Sequence, residues 1–134
     1  MATLSAEQSR AIAKLYSDLA ATLSDYRFAH WSELTKRQRG EIESHEWTLL
    51  TYSSNMTTHA IKLGVADAAQ SLAAITRATK ELTRAVRRVA SAKRAFAVAT
   101  AAVGLGAAIA SGHALAIADA VRKAMSVADR KAGG

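Results

Sequence analysis

Not one of the 134 residues is proline, and Gly64, Gly104, Gly106 and Gly112 each stand singly between apolar stretches. Proline removes a helical hydrogen bond and clashes with the preceding turn, so a chain without it has few places where a helix is forced to stop. Long helices follow. Half of the residues are apolar yet only 5% are aromatic, and alanine supplies much of the remainder, which favours thin, closely packed helices over bulky interdigitated layers. The length suits one ordinary domain with a core of its own. The expectation is an all-α, long-helix bundle forming a single domain over 1–134.

Ser5 and Gln8 have the three-residue spacing of a capping box. Ile12, Tyr16, Leu19, Leu23, Tyr26, His30 and Leu34 then recur every three or four residues and predict a helix over 5–39. Lys36, Arg37 and Arg39 read as the basic last turn that a helix dipole favours, with Gly40 as its left-handed cap at a turn or kink. Ile42, His45, Leu49, Tyr52, Met56, His59 and Leu63 alternate strictly by three and four, predicting a second helix over 41–63. The seam resumes as Val65, Ala68, Leu72, Ile75, Thr79, Leu82, Val86, Val89 and Phe96, predicting a helix over 65–110. Its register carries across Gly64, so continuity with the second helix stays open. Ser111-Gly112-His113 marks a break before a last amphipathic helix over 113–131.

Ala95 to Ala118 contains no Asp, Glu, Lys or Arg and predicts an apolar, Ala/Gly-rich C-terminal helical hairpin. Gly104, Ala108 and Gly112, like Gly106 and Ala110, form small-xxx-small rows that let helix backbones approach closely. The stretch is also long enough to cross a bilayer, which takes about 20 residues, but its weak hydrophobicity favours a buried hairpin over a membrane span.

The chain has no cysteine, which excludes disulfides, thiolate metal sites and a thiol nucleophile. No Gly-rich phosphate loop, nucleophile elbow, paired acid/base carboxylates or His-Glu-x-x-His pattern occurs, so no catalytic residue, cofactor or metal site is expected. His45 and His59 lie roughly 21 Å apart along one helix and cannot share an ion. Glu41 and His45, four apart, lack further ligands. The first ten residues have neither the basic start nor the apolar run of a secretory signal, which implies retention inside the cell.

Formal charge is +7, and residues 64 to 94 carry seven basic side chains against Asp67 and Glu81. That segment therefore supplies +5 of the excess. Arg77, Lys80, Arg84, Arg87 and Arg94 are spaced by 3, 4, 3 and 7 opposite the apolar seam, with Arg88 beside them. Guanidinium groups match phosphate oxygens bidentately, and a straight helical row follows a nucleic-acid backbone without reading bases. The bland alternative is a solvated face that keeps an alanine-rich helix soluble. Near Gly40, Phe28, Trp31, Trp47 and Leu50 lie off the main seams on both sides of Lys36, Arg37 and Arg39. Apolar residues on a second helical face point to a subunit interface or a central position in the bundle; an aromatic and basic nucleic-acid surface is the sharper alternative.

In size, long helices, basic face and surplus aromatics the chain resembles, at the level of architecture alone, small helical proteins that coat or compact nucleic acid, coat proteins of filamentous DNA viruses among them. The resemblance carries no functional residues across; with the charge stripe and the surplus apolar faces it favours a non-enzymatic structural protein that self-associates and binds nucleic-acid backbone, chiefly double-stranded DNA through its phosphates, within a nucleoprotein particle. Its expected contacts are Arg77, Lys80, Arg84, Arg87, Arg88, Arg94, Lys36, Arg37 and Arg39, with Phe28, Trp31, Trp47 and Leu50 at the interface between copies. The alternatives are a membrane-associated protein using 95–118, or a helical adaptor or immunity-type protein binding an acidic partner.

Overall fold

The computed structural model describes residues 2–58, 61–63, 68–89 and 91–129. They form an all-α bundle of five helices: α1 (Ala6–Ala29), α2 (Lys36–Thr58), α3 (Ala68–Arg87), α4 (Ala92–Ser111) and α5 (Ala114–Asp129). Two short extended segments, β1 (Ala2–Thr3) and β2 (Lys62–Leu63), pair antiparallel with Ala2 opposite Leu63.

α1 begins where its capping box predicts: Ser5 Oγ accepts from the Gln8 N–H at 3.0 Å and Gln8 Oε1 from the Ser5 N–H at 2.9 Å. It ends ten residues before the expected Arg39. The His30 N–H still donates to Tyr26 O, a 3₁₀ turn over Trp31–Glu33 follows, and Leu34 is extended. A second capping box explains the break, because Thr35 Oγ1 accepts from the Gln38 N–H while Gln38 Oε1 accepts from the Thr35 N–H. Lys36, Arg37 and Arg39 thus open α2 instead of closing α1, and Gly40 lies inside a helix, exposed, with no turn.

α2 stops at Thr58 and Lys62–Leu63 is extended, so α2 and α3 are separate helices. His59, Gly64 and Val65 lie outside the described residues. The expected helix over 65–110 is itself two: α3 ends at Arg87, and Ser91 caps α4 by accepting from the Arg94 N–H. The break at Ser111-Gly112-His113 is found as read, with Gly112 left-handed at φ 71° and its N–H donating to Ala108 and Ile109 carbonyls. Residues after Asp129 lie outside those described.

α1 and α2 form an antiparallel hairpin, tied at one end by Ser53 Oγ donating to Ala13 O and at the other by Arg27 on Glu46. α3 packs on α1 and α5, and α4 packs on α5, α2 and α3. The seams meet in one cluster: Ile12, Leu19 and Leu23 from α1, Ile42 and Leu49 from α2, Ile75 and Leu82 from α3, Val98 and Leu105 from α4, and Ile117 from α5 are all buried. Each such side chain contributes on the order of 1.5–3 kcal/mol through removal from water.

Tyr16 stands fully buried at the centre, its hydroxyl donating to Ala102 O of α4 at 3.1 Å and its ring edge-on to Tyr52 of α2. Burial, and secondarily Tyr52, pushes its phenol above the usual tyrosine range, whereas the unfolded chain loses that proton near 10. Because the folded state then holds the proton more tightly, the contribution is complete below pH 10 and declines as pH rises. Urea unfolding should lose up to about 1.4 kcal/mol per pH unit from this group above that point. Tyr16→Phe is expected to be less stable by about 1 kcal/mol at neutral pH yet to show a shallower alkaline decline. Parallel declines in both proteins would refute the assignment.

Candidate nucleic-acid interface

Ile75, Ala78, Thr79, Leu82, Ala85 and Val86 face inward along α3, and the helical period sets Arg77, Lys80, Arg84 and Arg87 on the opposite, exposed face. These four make a straight row about 15 Å long at helical rise, able to contact up to about four phosphates, one for each cation. Arg84 Nη1 also meets Glu81 Oε1 at 2.6 Å, so one cation in the row carries its own carboxylate.

Arg94 is not on this face. The break before Ser91 restarts the helix in a new phase, and Arg94 points into the bundle, 3% exposed, with Nη2 donating to Val127 O at 2.6 Å. Arg88 stays exposed but donates through Nη2 to Ala128 O at 2.9 Å. Both guanidinium groups sit on the last carbonyls of α5, where a helix dipole favours positive charge. Their roles here are structural, and the exposed row shrinks from six cations to the four on α3, with Arg88 at its end.

Two acidic residues that the reading of the basic stripe left out flank it. A groove of about 390 Å³ between α1 and α3 is lined by Asp18, Thr22 and Asp25 on one wall and by Lys80, Arg84 and Arg87 on the other. Asp18 is also held by Lys14 at 3.2 Å. The two carboxylates lower the positive potential on the α1 side, leaving the outward side of the row the more cationic. Their seven-residue spacing on α1, away from its apolar stripe, was the sequence signal for this.

The second basic group behaves differently. Arg39 Nη1 donates to Trp31 O at 2.8 Å and Leu34 O at 2.7 Å, and its guanidinium lies 4.4 Å from the Trp31 ring centroid. It fastens the α1–α2 connection. Arg37 pairs with Glu41 at 3.1 Å, while Lys36 is exposed with no ion pair among the described residues. Phe28 and Trp31 stack at 5.8 Å with planes 8° apart, and Arg27 lies 4.6 Å over the Phe28 ring. Beneath them Arg27 makes a buried bidentate bond to Glu46 and meets Glu43 at 3.5 Å. The hydrogen bond to Glu46 pushes the Arg27 pKa up, against the effect of burial. Trp47 and Leu50 remain exposed on α2, as Phe28 and Trp31 do beside it.

α4 is long and apolar enough to cross a membrane by length and composition, and half of its apolar window is buried inside the bundle. Its open half carries Thr100, Gly104 and Ala107 over a shallow groove whose other wall, on α5, includes Asp119 and Lys123. Charged neighbours of that kind suit water better than lipid.

Among the described residues no three His, Asp or Glu side chains converge on a point where an ion would sit. No family model, curated protein or solved structure matches the chain, so the functional reading stands on its own geometry.

Proposed function

We propose that this chain is a non-enzymatic structural protein that binds the backbone of nucleic acid through the outer face of α3 and associates with further copies of itself. The observation that carries the reading is the exposed row of Arg77, Lys80, Arg84 and Arg87 on one straight helix. Such a face meets phosphates and reads no bases, so binding is tolerant of sequence and sensitive to salt.

About four phosphate contacts give a logarithmic salt slope near −3.6, so affinity for a random-sequence DNA duplex should fall on the order of a hundredfold between about 50 and 200 mM salt. Fluorescence anisotropy measures this directly. Replacing Arg77, Arg84 and Arg87 together with alanine should reduce the slope to about −1, with helicity by circular dichroism unchanged because all three side chains are exposed. Arg88 is left in place because it caps α5. Unaltered affinity in the triple variant, or binding indifferent to salt, would remove α3 as the contact.

A second reading rests on the length and composition of α4, with the same row lying against anionic headgroups. Co-sedimentation with anionic vesicles but no binding to DNA at low salt would favour it.

A further inference from the structure

The exposed face of α2 bears a second periodic stripe that the bundle does not use: Lys36, Gly40, Glu43, Trp47, Leu50 and Ser54, alternating by four and three, all exposed. Phe28 and Trp31 adjoin it, since Arg27 touches both the Phe28 ring and Glu43, and Trp47 lies one turn beyond Glu43. With Phe28 62%, Trp31 47% and Trp47 65% exposed, roughly 350 Å² of aromatic surface lies open, before Leu50 is counted, on the 150–250 Å² that each such side chain presents. A standard interface covers about 800 Å² per partner, so this patch alone supplies close to half of one.

From these features we infer that the outer stripe of α2 is the interface of a two-fold homodimer in which α2 packs antiparallel on α2 of a second copy. This deepens the self-association proposed above and rests on that part of it, independently of nucleic-acid binding. A partner helix laid antiparallel about a two-fold axis level with residue 45 sets Leu50 over Gly40, Trp47 over Glu43 and Ser54 over Lys36, and the same three pairs recur by symmetry. Large meets small at the first pair: an added Cβ at Gly40 would find nothing within 4 Å. A parallel pairing would set Lys36 on Lys36 and Glu43 on Glu43, which repels. Base stacking on this surface is the competing use, but of the cations beside the patch Arg37 pairs with Glu41, Arg39 with the Trp31 and Leu34 carbonyls and Arg27 with Glu46, which leaves Lys36 to meet a phosphate.

The test uses the full chain, nuclease-treated, in sedimentation velocity at about 10 μM, a concentration that populates dimers of ordinary affinity. A dimer is expected, and Trp47→Glu should weaken it by ~30-fold or more, as loss of a central aromatic anchor does. The native chain has no cysteine, so introduced thiols report orientation unambiguously. Gly40→Cys and Leu50→Cys should each remain uncrosslinked alone and form a covalent dimer under mild oxidation when mixed. In the antiparallel pair like positions are about 15 Å apart along the axis, beyond disulfide reach. A monomeric native chain would overturn the interface and self-association together. A dimer indifferent to Trp47→Glu, or one that crosslinks through Gly40→Cys alone, would overturn this interface and leave self-association standing.

Discussion

Replacing Arg27 with alanine is expected to lower the free energy of unfolding by about 3–5 kcal/mol, because it strands a carboxylate inside the α1–α2 hairpin. Arg27 and Glu46 are 8% and 7% exposed, and two bonds of 2.7 and 3.1 Å join them. Water replaces little of what Glu46 loses when the guanidinium goes. The pair is costly to break without being a large net source of stability, since both charges were desolvated to form it. The double variant Arg27→Met with Glu46→Leu should therefore return to within about 1–2 kcal/mol of the parent. Urea unfolding of the three proteins, analysed as a double-mutant cycle, separates the two statements. An Arg27→Ala variant as stable as the parent would mean that Glu46 finds water or another donor.

Two glycines two residues apart on α4 should respond to alanine with opposite signs. At Gly106 an added Cβ would stand 2.5 Å from Cδ2 and 2.7 Å from Cε2 of Tyr52, so the ring that packs edge-on to Tyr16 must move. Overpacking of this kind costs about 1–3 kcal/mol, against which the helix gains up to ~1 kcal/mol in propensity. Gly106→Ala should be destabilising. Gly104 is exposed, its added Cβ would meet nothing within 4 Å, and Gly104→Ala should gain close to the full propensity term. Thermal or urea unfolding gives both signs. A stabilised Gly106→Ala variant would show that the α2–α4 contact at Tyr52 yields easily.

Much of the core was legible, for reasons that particular residues make plain. Ile12, Leu19, Leu23, Ile42, Leu49, Ile75 and Leu82 are buried where the seams put them, because a helical period carried over several turns has one apolar face. The break at Ser111-Gly112-His113 was legible because a lone glycine stands there between two periodic stretches, although the left-handed cap was expected at Gly40 and is found at Gly112. The breaks at His30–Thr35 and Arg88–Ser91 were not, since Leu34, Val89 and Phe96 keep apolar residues at nearly helical spacing through them. Thr35 and Gln38 did carry the capping-box pattern, overshadowed by the basic run between and after them. Ser91 has arginine at the third position, so only its own half of such a box exists. Arg94 was misplaced as a direct consequence, because a residue's face depends on where its helix starts. The bonding of Arg27 to Glu46 was beyond reach of periodicity: the partners lie on different helices, and only the tertiary fold decides which carboxylate a buried guanidinium meets.

The pairing of β1 with β2 has a meaning for the order of events in folding. The Leu4 N–H donates to Ile61 O at 2.8 Å and the Ile61 N–H to Ser9 Oγ at 3.1 Å, so the start of α1 is fastened to the chain just past α2. That clasp closes a loop of more than fifty residues around only a few bonds. In an open coil the entropy of such a closure, several kcal/mol for a loop this long, exceeds what those bonds return. Once α1 and α2 have zipped together the same ends are already neighbours, and the closure is nearly free. The clasp is therefore a late latch on a hairpin formed by shorter-range contacts, one that slows its opening more than it speeds its formation.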